Sequence, residues 1–195
     1  LRMKGTINTG DTVVQIKPVN FTLVGNPYPA PINFHTLTKT NVNDNMYVWD
    51  PNMAGANGVG AYITFSWNNS TGTYDSTQSV SPVSRYIQSG EAVLVPSNGS
   101  AGTIKFSEIN KDAGGSDRVF RKLDKTKNVE FRINLLNINA DSTKYLSDGV
   151  LTTYNDNNLN LVDNNDALKF YNFAESICIR RDQKNLSIER RLTIR

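Results

Sequence analysis

Apolar and polar residues alternate with a period of two along most of this chain, the mark of strands with one buried face. Leu1, Met3 and Ile7 hold odd positions around Gly5, and Val14 and Ile16 alternate with Val13, Gln15 and Lys17. Phe21 to Val24, Met46 to Trp49, Tyr62 to Phe65 and Thr103 to Phe106 read as further strands. Glu91-Ala92-Val93-Leu94-Val95 is a largely apolar run closed by Pro96. The cleanest pattern is Val129-Glu130-Phe131-Arg132-Ile133-Asn134-Leu135, apolar at every odd position, whose charged face should meet solvent or a partner surface. Gly149 to Tyr154, Leu168 to Tyr171, Ser176 to Arg180 and Leu186 to Ile188 complete the set.

Turn-forming clusters separate these strands: Ala54-Gly55-Ala56-Asn57-Gly58, Trp67-Asn68-Asn69-Ser70-Thr71-Gly72, Ser97-Asn98-Gly99-Ser100 and Asp112-Ala113-Gly114-Gly115. No segment keeps a helical period over three turns. Short strands between frequent turns predict an all-β, antiparallel β-sandwich, jelly-roll-like, with little helix. At 195 residues the chain suits a single domain over 1–195, with a weak subdivision near 108–118 where the Gly-Gly loop lies. It opens in mid-pattern with no signal peptide, as a piece excised from a longer secreted protein would.

Between Gly25 and Ile32 stand three prolines, in Asn26-Pro27-Tyr28-Pro29-Ala30-Pro31. Proline fixes φ, lacks a donor and pushes the preceding residue toward extended backbone. The strand ending at Val24 therefore runs into a stiff, extended corner.

The chain holds 25 asparagines, five glutamates and a single histidine. Asparagine hydrogen-bonds local backbone and tolerates left-handed conformations, so this load belongs to turns. The net charge is +3, and the excess gathers at Arg180, Arg181, Lys184, Arg190, Arg191 and Arg195. A nucleic-acid surface would interleave aromatics with those cations. None follows Phe173, so a solvated strand face is expected and no nucleic-acid partner. No apolar run approaches the roughly 20 residues of a membrane-spanning helix. Cys178 has no intramolecular partner, and its place between Ile177 and Ile179 predicts a buried, inert thiol on a strand.

Catalytic groupings are missing from the pattern. His35 stands alone beyond the proline corner as a loop-flanking surface histidine, and no Gly-x-Ser-x-Gly elbow occurs. Zinc is excluded because His35 and Cys178 lack local ligand partners. Glu91, Glu108, Glu130, Glu175 and Glu189 are scattered on or beside strands, so no enzyme activity is expected.

Two candidate sites remain. Asp156, Asn158 and Asn160 alternate like the opening of a calcium loop, and Asp163 and Asp166 could complete an oxygen shell. Leu161 and Ala167 stand where an EF-hand places its glycine and glutamate, which leaves a polar, solvated loop or a structural calcium. The second candidate is a sugar platform, on which exposed aromatic faces meet C–H bonds and amides bind hydroxyls. Trp67, with Asn68 and Asn69 beside it and Tyr62 and Tyr74 flanking, supplies that combination, whereas Trp49 reads as core.

Leu23-Val24-Gly25-Asn26-Pro27-Tyr28-Pro29-Ala30-Pro31-Ile32-Asn33 resembles the "GNPYPSPIDW" signature of large secreted surface proteins from Bacteroidetes. Tyr47-Val48-Trp49-Asp50-Pro51 follows, and Tyr86 to Val95 resembles the family's "IpsGQaFfVka". Val129 to Leu135 is similar to its "LRLnL" strand, Asp163 to Phe170 to its "yDaaKl" segment and Leu186-Ser187-Ile188 to its "LSIn". The chain departs from the pattern at Ala30, where serine is common, and at Leu94, where an aromatic is usual. The resemblance implies a jelly-roll-like module upstream of a type IX secretion sorting domain, at the outer cell surface or extracellular. It implies a non-catalytic adhesion role with polysaccharide or a surface protein as partner. The residues themselves leave a carbohydrate-binding module or a ligand-free structural spacer open, and a monomer is expected.

Overall fold

The structure is a computed structural model that describes residues 5–51, 53, 60–78, 85–112, 129–173 and 175–193. Among them the chain is all-β. The strands are β1 (Thr12–Ile16), β2 (Phe21–Gly25), β3 (Ile32–Asn33), β4 (Thr38–Thr40) and β5 (Asn45–Asp50). Next come β6 (Ala61–Asn68), β7 (Thr73–Ser76), β8 (Tyr86–Ile87), β9 (Ala92–Pro96) and β10 (Gly102–Phe106). The last are β11 (Val129–Ile138), β12 (Lys144–Tyr154), β13 (Ala167–Leu168), β14 (Ile179–Arg181) and β15 (Lys184–Arg191). Short 3-10 turns at Phe34–Thr36 and Glu108–Asn110 are the helical elements described.

Most expected strands are present, with altered ends. β12 starts at Lys144, before the expected Gly149, and β13 keeps only the start of the expected Leu168 to Tyr171. β3, β4, β7 and β8 are too short to show a period in sequence. Ile7 is exposed in non-strand chain, while Leu1 and Met3 lie outside the described residues. So do the turn at 54–58 and most of the boundary at 108–118.

Contacts group the chain into two compact units, each built from two stretches: Leu1–Asp44 with Ser84–Val119, and Asn45–Val83 with Phe120–Arg195. In the first unit β1, β10 and β4 form an antiparallel sheet, with Val14 opposite Ile104. β2 pairs with β9 and β3 with β8, both antiparallel. Val24, Tyr28, Ile32, Phe34, Val93 and Phe106 are among its buried side chains. Burying such side chains contributes roughly 1.5–3 kcal/mol each.

In the second unit β5, β6 and β7 form an antiparallel meander. The other sheet runs β11-β12-β15-β13, with β14 also on β15. β12 and β15 are parallel; the remaining pairs are antiparallel. β6 packs against β12 and β15, making a sandwich. The β14–β15 hairpin turns on Asp182 and Gln183, with φ of 46° and 62°. Two successive positive φ values match the right-handed strand twist.

The sandwich interior has a small apolar cluster, Leu151, Ala167 and Ile188, and an unusual share of polar groups. Asp148, Lys169, Asp75 and Arg190 are all buried there. β11 at the sheet edge departs in part from the expectation: Glu130 and Asn134 meet solvent as expected, but Val129, Phe131 and Ile133 are exposed too, and Arg132 turns inward to donate to the Ser76 carbonyl. The interior it faces offers acceptors, and the described residues leave its apolar face largely uncovered.

Candidate functional site

Two aromatic groups form on opposite faces of β6. Trp67 lies directly across from Tyr74 on β7, their rings edge-on at 5.3 Å. Both are half-buried. Tyr62 stands an odd number of residues from Trp67, and alternation turns it to the other face. There it meets Trp49 at 4.9 Å and Phe170 at 4.6 Å. Asn68 is buried: its amide donates to Asp75 at 3.0 Å, and its oxygen accepts from the Ser70 N–H at 2.9 Å. Asn69 is exposed at the turn and donates to Asn165 Oδ1 at 3.4 Å. The structure thus brings Trp67 and Tyr74 together and sends Tyr62 and Asn68 elsewhere.

A second aromatic ledge was not legible in sequence. Trp49, expected in the core, is half-buried, and Phe173 meets its ring edge-on at 6.0 Å while remaining 81 % exposed. The Tyr62 N–H donates to Asn172 Oδ1 at 2.6 Å, anchoring this stretch to β6. Gly60 makes the close approach possible: its φ is +73°, and a Cβ there would run into the Trp49 ring.

The calcium candidates are placed as follows. Asp166 is buried, accepting from the Arg190 N–H at 2.7 Å and the Asp163 N–H at 2.9 Å. Burial raises its pKa above the ordinary aspartate value, the two backbone donors and nearby Arg190 acting against this and Asp163 with it. Asp163 accepts from both the backbone and side chain of Asn165, at 2.8 and 3.1 Å. Asn158 is buried and donates to the Arg191 carbonyl at 3.2 Å. Asp156 and Asn160 are exposed, and the Asn160 carbonyl accepts from Arg181. The Asp166 carboxylate thus meets two backbone donors, and the Asp163 carboxylate meets the backbone and side-chain amides of Asn165. Among the described residues no three His, Cys, Asp or Glu side chains are grouped to hold a metal.

The basic strand face expected to be solvated is partly interior. Arg190 is 4 % exposed and donates to Asp75 at 2.8 Å and to the hydroxyl and carbonyl of Ser66 at 2.9 and 3.1 Å. Its fork needs several acceptors at fixed angles, and β6 and β7 supply them. Glu189 is buried as well, accepting from Arg181 at 2.7 Å.

A family model described as a domain of unknown function (DUF8693) matches residues 2–194. The chain belongs to that family. No curated protein and no solved structure matches it.

In this DUF8693 chain the proline corner is a structural staple. The Asn26 amide donates to the carbonyls of Ala30, Ile87 and Gln88 at 2.7, 2.9 and 3.2 Å. Its oxygen accepts from the Tyr28 N–H at 2.9 Å. Tyr28 is buried beside Phe106, donates to the Gly10 carbonyl, and carries Lys111 over its ring at 4.5 Å. Three prolines leave carbonyls without nearby backbone donors, and one asparagine ties the corner to β8.

His35 sits in a 3-10 turn and contacts Asp44 through Nδ1, with Lys39 3.3 Å from the same carboxylate. Burial lowers the Lys39 pKa, and Asp44 opposes the shift. Cys178 is half-buried rather than buried, just ahead of β14. No described helix is long and apolar enough to cross a membrane.

Proposed function

We propose that the chain is a non-catalytic adhesion module of a large secreted bacterial protein, displayed at the outer cell surface or released from it. The observation that carries this reading is how its side chains are spent. Asp148 with Lys169, Asp75 with Arg190, Glu189 with Arg181 and Asp44 with His35 each close on another group of the fold. Large apolar and aromatic side chains also stand exposed, Val129, Phe131, Ile138, Tyr171 and Phe173 among them. Chemistry needs poised ionisable groups, whereas adhesion needs exposed apolar anchors. The extracellular setting rests on the likeness of the Asn26 to Pro31 corner to secreted surface proteins.

The test is saturable retention of purified protein on cell, protein and glycan surfaces, alongside hydrolysis assays on glycan and peptide panels. Retention without turnover is expected. Turnover abolished by Asp44→Asn, which disables the His35–Asp44 pair, would overturn the reading.

A second reading, a carbohydrate-binding module, is favoured by the Trp49–Phe173 ledge and the Trp67–Tyr74 pair. An aromatic ring with an open face offers a sugar an apolar platform. Retention on one polysaccharide, lost in Phe173→Ala or Trp67→Ala, would establish it and name the face used. A panel with no retention on any polymer would remove it.

A further inference from the structure

We propose that β11 is a homotypic pairing edge, joining two copies of this chain strand to strand about a twofold axis through Phe131. This goes beyond the adhesion reading and holds whether or not the module adheres; it replaces the monomer expected from sequence.

β11 is ten residues long and, among the described residues, ends its sheet with β12 as its one neighbour. An edge strand of this length presents unmatched backbone donors and acceptors, which proteins ordinarily blunt with short strands, proline or inward charges. Val129 to Leu135 holds no proline, and Arg132 is its one inward-turned charge. Val129, Phe131, Ile133, Leu136 and Ile138 are 62, 58, 41, 48 and 61 % exposed. Such an apolar strip at an open edge marks an interaction surface.

The charges on the strand select a second copy as occupant. In an antiparallel pair about a twofold perpendicular to the sheet, each residue meets one of its own parity, so only even register sums are allowed. A centre at Glu130 or Arg132 sets like charges opposite each other. A centre at Ile133 puts Glu130 against Leu136 and runs the ladder across the irregularity between Leu135 and Leu136. The centre at Phe131 alone sets Glu130 opposite Arg132 twice, Val129 opposite Ile133 twice, and the two Phe131 rings together. Within one copy Arg132 Nη2 is already 3.8 Å from Glu130 Oε2, so each carboxylate would lie between two guanidinium groups. Opposite charges and aromatic pairs directly across strands are the stabilising cross-strand contacts.

The experiment is sedimentation equilibrium of the wild type, Glu130→Arg, Arg132→Glu and an equimolar mixture of the two variants, with circular dichroism to confirm folding. The wild type is expected to dimerise with rising concentration. Each single variant sets like charges across the axis and is expected to stay monomeric. The mixture restores opposite charges at every position and should regain a dimer containing one copy of each. Phe131→Lys, which leaves the β11–β12 ladder intact, should also be monomeric. A wild type that stays monomeric to its solubility limit would overturn the proposal. A dimer unaffected by Phe131→Lys, or a mixture that stays monomeric, would overturn it too.

Discussion

The carboxylate of Asp148 accepts from the Lys169 ammonium at 2.7 Å, and each side chain is 2 % exposed. The backbone N–H groups of Ile177 and Gly149 donate to the same carboxylate at 2.8 Å each. Taking two charges out of water roughly offsets their attraction, so the intact pair adds little net stability. Removing one member strands the other, at about 3–5 kcal/mol. Asp148→Ala should therefore lower stability by that amount, read from the urea midpoint. Lys169→Met should cost less, because Asp148 keeps two backbone donors. Equal losses would show that those donors contribute nothing.

Tyr47 supplies a pH dependence. Burial raises its phenol pKa well above the ordinary 10.0, and its hydroxyl donates to the Leu168 carbonyl. An acid whose folded pKa is raised contributes stability that is whole below its unfolded pKa. That contribution is lost as pH climbs from there toward the folded value. Urea midpoints should thus fall above about pH 10. Tyr47→Phe should flatten that fall, at a cost of about 0.5–1.5 kcal/mol at neutral pH for the lost hydrogen bond. An unchanged alkaline slope in the variant would assign it to other groups.

The Asn26 staple can be tested without changing its shape. Asn26→Asp replaces the amide donor to Ala30, Ile87 and Gln88 with a carboxylate facing three carbonyls. A loss of more than about 3 kcal/mol is expected at neutral pH. Acid should restore part of it, because a protonated carboxyl can donate one hydrogen bond. A variant as stable as wild type would mean that the prolines hold the corner unaided.

Gly60→Ala places a methyl against the Trp49 ring, 2.9 Å from the Asp50 carbonyl, at a φ of +73°. The strain should cost about 1–3 kcal/mol and shift tryptophan emission as Trp49 moves off Phe173. Unaltered emission would place the adjustment in the backbone instead.

Calcium followed by chelator is expected to leave the melting temperature unchanged, since Asp163 and Asp166 already accept hydrogen bonds from their own loop and from Arg190 on β15. A calcium-dependent rise would show that the loop rearranges around an ion.

The alternation of residues determined by itself that this chain is made of strands, because side-chain direction along a strand is a local, two-residue property. The turn residues and the proline corner were local for the same reason. Which face of a strand is covered was decided only by residues far away in sequence. Arg190 and Glu189 are charged and read as solvated, yet Ser66 and Asp75 close over Arg190 and Arg181 over Glu189. Val129, Phe131 and Ile133 alternate like a core face, yet lie open at the end of a sheet. The aromatic sites followed the same rule. Tyr62 and Trp67 are near in sequence and part to opposite faces, while Trp49 and Phe173 are distant and meet. Alternation sorts side chains into two faces; only the tertiary structure says what lies over each.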